Sequence, residues 1–203
     1  MLPNIAGNYY DKYGTKNPLA RAMMRGFLGA VGDLYARVAP ERVLEVGCGE
    51  GHLAMQLLAR GPRPARFVAS DVDLSAVAPG LDPLIELREA SVYELPFDDG
   101  EFDLVLCCEV LEHLHEPERG LAEVARVAGR AVVLSTPREP LWRALNVARG
   151  RYVRQLGNTP GHVQHFSSRA LVRLAETRLR VVERRQPVPW TVLLGLPATS
   201  RST

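Results

Sequence analysis

From Arg42 onward the chain alternates short apolar runs with segments of helical period, and few architectures accept that order. The runs fall at residues 43–46, 67–70, 84–87, 102–107 and 131–135. Between them lie candidate helices at 51–60, 74–78 and 117–127, the second closed early by Pro79-Gly80. Near-continuously apolar strands separated by helices predict a parallel sheet covered on both faces. A last helix over 168–178 leads into two further strand candidates, 179–185 and 191–196. Residues 186–190 between them are too few for a parallel crossover, so these strands should pair as an antiparallel hairpin. The expectation is an α/β three-layer sandwich: a mostly parallel seven-stranded sheet ending in a C-terminal antiparallel hairpin. A chain of 203 residues can bury the core of one such domain.

Two stretches lie outside this alternation. Residues 1–40 hold one helical stretch over 18–35, carrying Leu19, Met23, Phe27, Ala30, Val31 and Leu34 near helical spacing, with Asn17 as a cap before Pro18. This reads as an N-terminal helical cap on a ligand-binding domain over 41–203. Residues 137–166 fit neither period. They follow the fifth strand, where the carboxyl ends of parallel strands carry a ligand crevice, and read as an acceptor-site insertion.

The strongest local signal is the run Glu45-Val46-Gly47-Cys48-Gly49-Glu50-Gly51, a strand passing through a glycine turn into a helix. Glycines let the backbone turn sharply and approach a ligand closely. The helix start beyond them offers free N–H groups. The spacing Gly-x-Gly-x-Gly differs from the Gly-x-Gly-x-x-Gly of dinucleotide enzymes. Glu45, two residues before the first glycine, is a poor neighbour for a pyrophosphate and a good one for a cation. Asp71 ends the second strand 20 residues after Gly51, where a carboxylate can accept both hydroxyls of a ribose; capping the next turn, with Asp73, is its other reading. Two further pieces are Ser91-Val92-Tyr93-Glu94-Leu95-Pro96-Phe97 and Cys108-Glu109-Val110-Leu111-Glu112-His113, the latter directly after the fourth strand.

Together these motifs resemble the class I S-adenosylmethionine-dependent methyltransferases, nearest to the group of ubiquinone/menaquinone-type and small-molecule enzymes. The resemblance is close over 42–137 and looser beyond. It implies the Rossmann-like methyltransferase fold, S-adenosylmethionine as methyl donor and S-adenosylhomocysteine as product. By position, Glu45 matches the acid that anchors the methionine end, with Gly47, Cys48 and Gly49 as backbone contacts. Asp71, with Val72 beside it, matches the ribose site. Ser91 and Val92 match the segment that reads the adenine edge, Ser91 standing where the family often has Asp. Cys108 and Glu109 match the segment under the cofactor, and Leu111-Glu112-His113 a structural signature. The early Tyr9-Tyr10-Asp11 resembles an element that folds over the cofactor, where Tyr10 would offer a cation–π face to a sulfonium.

Methyl transfer from a sulfonium needs no protein nucleophile; alignment and exclusion of water carry it. An acceptor of high pKa also profits from a general base. His162 and His165, in the insertion, are the candidates, with a polar loop role as the plain alternative for each. Two histidines alone are too few for a metal, so no metal site is expected. The insertion also carries Arg138, Arg143, Arg149, Arg151 and Arg154 against Glu139, interleaved with apolar residues. It could bind an acidic or lipid-linked acceptor, or present a solvated face over an apolar pocket.

Composition narrows the classes. A net charge of +2 and the lack of an added RNA-binding module argue against nucleic acid, leaving an RNA or protein acceptor as the lesser alternative. No run of about 18 apolar residues exists to span a membrane, and no signal-peptide pattern opens the chain. Cys48, Cys107 and Cys108 lack zinc-like spacing and read as small core residues in a reducing, cytoplasmic setting. A non-catalytic cofactor-binding partner protein is the alternative from another class, and a nicotinamide dehydrogenase is disfavoured by the glycine spacing. Monomer and homodimer both fit.

Overall fold

The computed structural model describes residues 17–198. Helix α1 (Pro18–Val38) starts where Asn17 Oδ1 accepts the N–H groups of Leu19 and Ala20, at 2.9 and 3.3 Å. It stops at Ala39, in the left-handed region, and Pro40 bars continuation. Its buried face is Met24, Phe27, Val31, Leu34 and Tyr35. Then follow β1 (Arg42–Val46), α2 (His52–Arg60), β2 (Arg66–Asp71), β3 (Ile85–Glu89), β4 (Phe102–Cys108), α3 (Pro117–Val127) and β5 (Ala128–Pro137). The chain closes with α4 (Leu141–Ala148), α5 (Ser168–Ala175), β6 (Leu179–Arg185) and β7 (Trp190–Pro197).

The seven strands lie in the order β3-β2-β1-β4-β5-β7-β6. β7 runs antiparallel to both its neighbours, β5 and β6, while the pairings among β1 to β5 are parallel. The sheet and the hairpin are those expected from the sequence. Strand order reverses between β1 and β4, so the connections from these two strands leave on opposite sides and open a crevice at their carboxyl ends.

Side chains alternate between two cores, as strand geometry requires. Leu104, Leu106 and Cys108 join the cluster under α1 and α2, whereas Val105 and Cys107 join the cluster under α3 and α5. The adjacent Cys107 and Cys108 are thus free thiols on opposite faces. β3 begins one residue later than expected, at Ile85, and is an edge strand in which that residue alone is buried. Where a helix was expected over 74–78, a single 3-10 turn, Leu74–Ala76, forms: Asp73 caps it by accepting the N–H of Ser75 at 2.8 Å. The segment after β5 holds α4 and a 3-10 turn, Val153–Gln155, and is closed at its base by Glu139 N–H donating to Phe166 O at 2.9 Å. No helix among the described residues is long and apolar enough to cross a membrane.

Candidate functional site: the carboxyl ends of β1, β2 and β4

The glycine turn leaves β1 with Gly47, Gly49 and Gly51 all at positive φ (74°, 52° and 80°). At Gly47 a side chain is excluded twice over, because a Cβ there would lie 2.3 Å from Val110 Cγ2. Backbone bonds hold the turn against β2, with the N–H groups of Gly47 and Cys48 donating to Ser70 O at 2.7 and 3.0 Å. The turn therefore touches the segment after β4 on one side and the end of β2 on the other.

Asp71, at the end of β2, accepts the N–H of Gly49 on Oδ2 at 2.8 Å. Asp73 caps the next turn through the N–H of Ser75 at 2.8 Å, and Asp71 Oδ1 takes a longer contact from the N–H of Asp73 at 3.5 Å. Glu45 lies one layer deeper on β1, only 4% exposed, and its Oε2 has no hydrogen-bond partner among the described residues. Burial pushes its carboxyl up to about 8; the N–H of Ala54 opposes the shift and the charge of Asp71 adds to it. Burial likewise pushes the Cys48 thiol well up, so it is a packed neutral group. Ser91 follows β3, and the preceding Ala90 donates its N–H to Asp71 O at 2.9 Å. Its hydroxyl accepts the N–H of Tyr93 at 3.2 Å, while Val92 packs in the core under α3. Val72 is exposed. Tyr10 lies outside the described residues.

Cys108 is buried, and Glu109 turns the chain through a positive φ of 62°. The Glu109 carboxylate is held by two groups that sequence reasoning passed over: it accepts Trp190 Nε1–H at 2.7 Å and the Ser135 hydroxyl at 3.3 Å. A buried indole must find an acceptor, and that is the signal Trp190 carried. Trp190 also starts a row of rings. Phe27, Trp190, Trp142, His162 and His113 follow one another at centroid separations of 5.0, 5.8, 6.3 and 4.9 Å.

The structure separates the two histidines that the sequence paired. His162 is buried at the end of that ring row. His165 is exposed, its Nε2 2.9 Å from Asn158 Oδ1. Two of the insertion's arginines are tied to the insertion itself: Arg143 Nε donates to Leu156 O at 3.0 Å, and Arg149 donates to Asn146 and lies over the Trp142 ring.

Residues 44–133 match the family described as "Methyltransferase domain". A demethylmenaquinone methyltransferase of Clavibacter sepedonicus is 37% identical over 118 residues, 53% of this chain and 47% of that one. A ubiquinone biosynthesis O-methyltransferase of Xanthomonas oryzae pv. oryzae is 28% identical over 92% of this chain and 82% of its own length. The chain spans about half, or less, of the curated relatives matched at higher identity. Magnesium protoporphyrin IX methyltransferase from Synechocystis PCC 6803, solved with bound S-adenosylhomocysteine, superposes with a TM-score of 0.64 at 19% identity, covering 94% of this chain and 91% of that one. In its seven-stranded order and C-terminal hairpin the chain has the Rossmann-like methyltransferase fold, and over residues 44–133 it is similar to S-adenosylmethionine-dependent methyltransferases.

Proposed function

We propose that the chain transfers a methyl group from S-adenosylmethionine to a small organic acceptor. The observation that carries this reading is Glu45: a buried carboxylate with an oxygen lacking a donor among the described residues, beside a turn whose first glycine admits no side chain. Such a group calls for a cation, and the ammonium of the donor's methionine end supplies one. Asp71, already fixed by Gly49 N–H, retains acceptor capacity for two ribose hydroxyls. The Ser91–Val92 segment, joined to Asp71 through Ala90, would flank the adenine, with Cys108 and Glu109 beneath the sulfur end. When bound, the donor presents an electrophilic methyl on a sulfonium. The protein's part is to align the acceptor and keep water out.

On the acceptor side we assign the excursion over 137–166 as cover, with His162 rather than His165 as its polar contribution. A small acceptor accords with relatives named for menaquinone and ubiquinone synthesis. Arg138, Arg143, Arg149, Arg151 and Arg154 give this cover a basic character that suits an acidic or lipid-linked acceptor. Free thiols at Cys48, Cys107 and Cys108 fit a cytoplasmic setting. Calorimetric titration with S-adenosylmethionine and S-adenosylhomocysteine tests the reading. Asp71→Ala and Glu45→Gln should each weaken binding by about 1–3 kcal/mol. No binding to the folded wild type would remove it.

A further inference from the structure

We propose that Glu112, His113 and His162 form a binding site for a divalent first-row transition-metal ion. One potential ligand atom from each of the three side chains lies within 4.8 Å of the other two. The carboxylate is 2% exposed and the His162 ring 8%, so the cluster is an interior one. Charge taken out of water in this way needs a compensating ion or a dense set of hydrogen bonds.

The cluster is assembled by deliberate backbone bonding between segments 49 positions apart in the chain. Glu112 O accepts the N–H groups of both Val163 and Gln164, at 2.9 and 3.0 Å. His113 Nδ1 lies 3.0 Å from Gly161 O. A carbonyl can only accept, so Nδ1 carries the proton and Nε2 keeps the lone pair, the tautomer in which an imidazole binds a metal. The Trp142 ring stacks on His162 at 6.3 Å and restricts its orientation.

One carboxylate and two imidazoles suit zinc, manganese, iron(II) or cobalt, whereas magnesium and calcium take oxygen donors almost alone. Donors on one ion at about 2.1 Å stand about 3.4 Å apart in tetrahedral geometry, so binding draws the three together by up to about 1.4 Å. Three ligands from the described residues are fewer than such an ion takes, so a further molecule can join it. The same segment reaches the glycine turn, since Val110 fills the space over Gly47. Resting on the methyl-transfer reading, the ion would favour an acceptor with an ionisable hydroxyl, a phenol or an enol, whose proton it makes easier to lose to water.

The test is calorimetric titration of tag-free, metal-stripped protein with Zn²⁺, Mn²⁺ and Mg²⁺, and a visible-absorption titration with Co²⁺. The proposal expects one transition ion per chain, weak binding of Mg²⁺, and Co²⁺ bands that report nitrogen ligation. His113→Gln and His162→Gln should each lower affinity at least about tenfold, with Glu112→Gln as the near-isosteric third variant and exposed His115→Gln as the control that binds normally. Binding of S-adenosylhomocysteine by each variant, through Glu45 and Asp71, certifies its fold. Absence of stoichiometric ion binding to folded wild type overturns the proposal, as does binding indifferent to both histidine variants; the three groups then share a proton instead of an ion. An ion bound without S-adenosylhomocysteine removes the methyl-transfer reading and leaves the site standing, and the reverse result removes the site alone.

Discussion

Glu45 shows how a single residue can tie stability to ligand. Its carboxyl titrates near 8 in the fold and near 4.5 when exposed. Between those values the unfolded chain gives up a proton that the folded chain keeps, so stability is greatest at low pH and falls as pH rises through 8. At about 1.4 kcal/mol per pH unit the loss is on the order of 5 kcal/mol. The ligand-free wild type should therefore lose several degrees of Tm between pH 5 and 8.5, and Glu45→Gln should flatten that slope. A cationic ligand needs the ionised form. S-adenosylhomocysteine should accordingly bind more tightly toward pH 8 and release a proton on binding, visible as a buffer-dependent heat. A pH-independent affinity with no proton release would show that Glu45 does not meet the ammonium. Gly47 makes a second test at this scale. Gly47→Ala meets both a positive φ and Val110 Cγ2 at 2.3 Å, and should cost about 1–3 kcal/mol in urea unfolding. Val110→Ala in the same chain should recover the steric part and leave the backbone part.

Among the elements, the excursion after β5 is the least autonomous. It has one eight-residue helix, and its inner anchors are two side chains of α4: Trp142 Nε1 donates to Thr159 Oγ1 at 2.9 Å and Asn146 Nδ2 to Gly157 O at 2.8 Å. Asn146→Ala removes an acceptor-holding amide from a buried position and should loosen residues 149–163 by about 1–3 kcal/mol. Hydrogen exchange there should quicken while amides of β1, β4 and β5 keep their protection; uniform loss across the sheet would mean that the excursion is part of the core. The same element marks where the sequence stops being readable. The strands β1, β2, β4 and β5 announce themselves because each carries a central apolar run buried on both faces. Asn17 announces α1 because a cap acts within three residues. Nothing local joins Glu112 to His162, or Glu109 to Trp190. Those pairs exist only once β4 and β7 stand in one sheet and the loop after Gly161 has returned to them. His162 and His165 looked equivalent for the same reason: spacing gave proximity, whereas burial came from Trp142 and His113.

For the whole molecule, the decisive strand is the one farthest in sequence from the cofactor motifs. β7 inserts between β5 and β6, and Val192, Leu193 and Leu194 are buried from both faces. Its first residue, Trp190, reaches Glu109 and packs on Phe27 of α1, so one side chain connects the N-terminal helix, the end of β4 and the excursion. Every residue proposed to hold the donor lies before β5, yet a chain ending at Arg185 should fail to bind it. Without β7 the inner edge of β5 is bare, and an exposed apolar strand edge invites aggregation. Trp190→Phe asks the finer question, because it keeps the ring and removes the N–H. It should fold, lose about 1–3 kcal/mol through the Glu109 carboxylate left without that donor, and weaken S-adenosylhomocysteine binding, since Glu109 would then be held less firmly in its turn. Unchanged cofactor affinity in a destabilised Trp190→Phe protein would show instead that Glu109 serves the sheet and not the ligand.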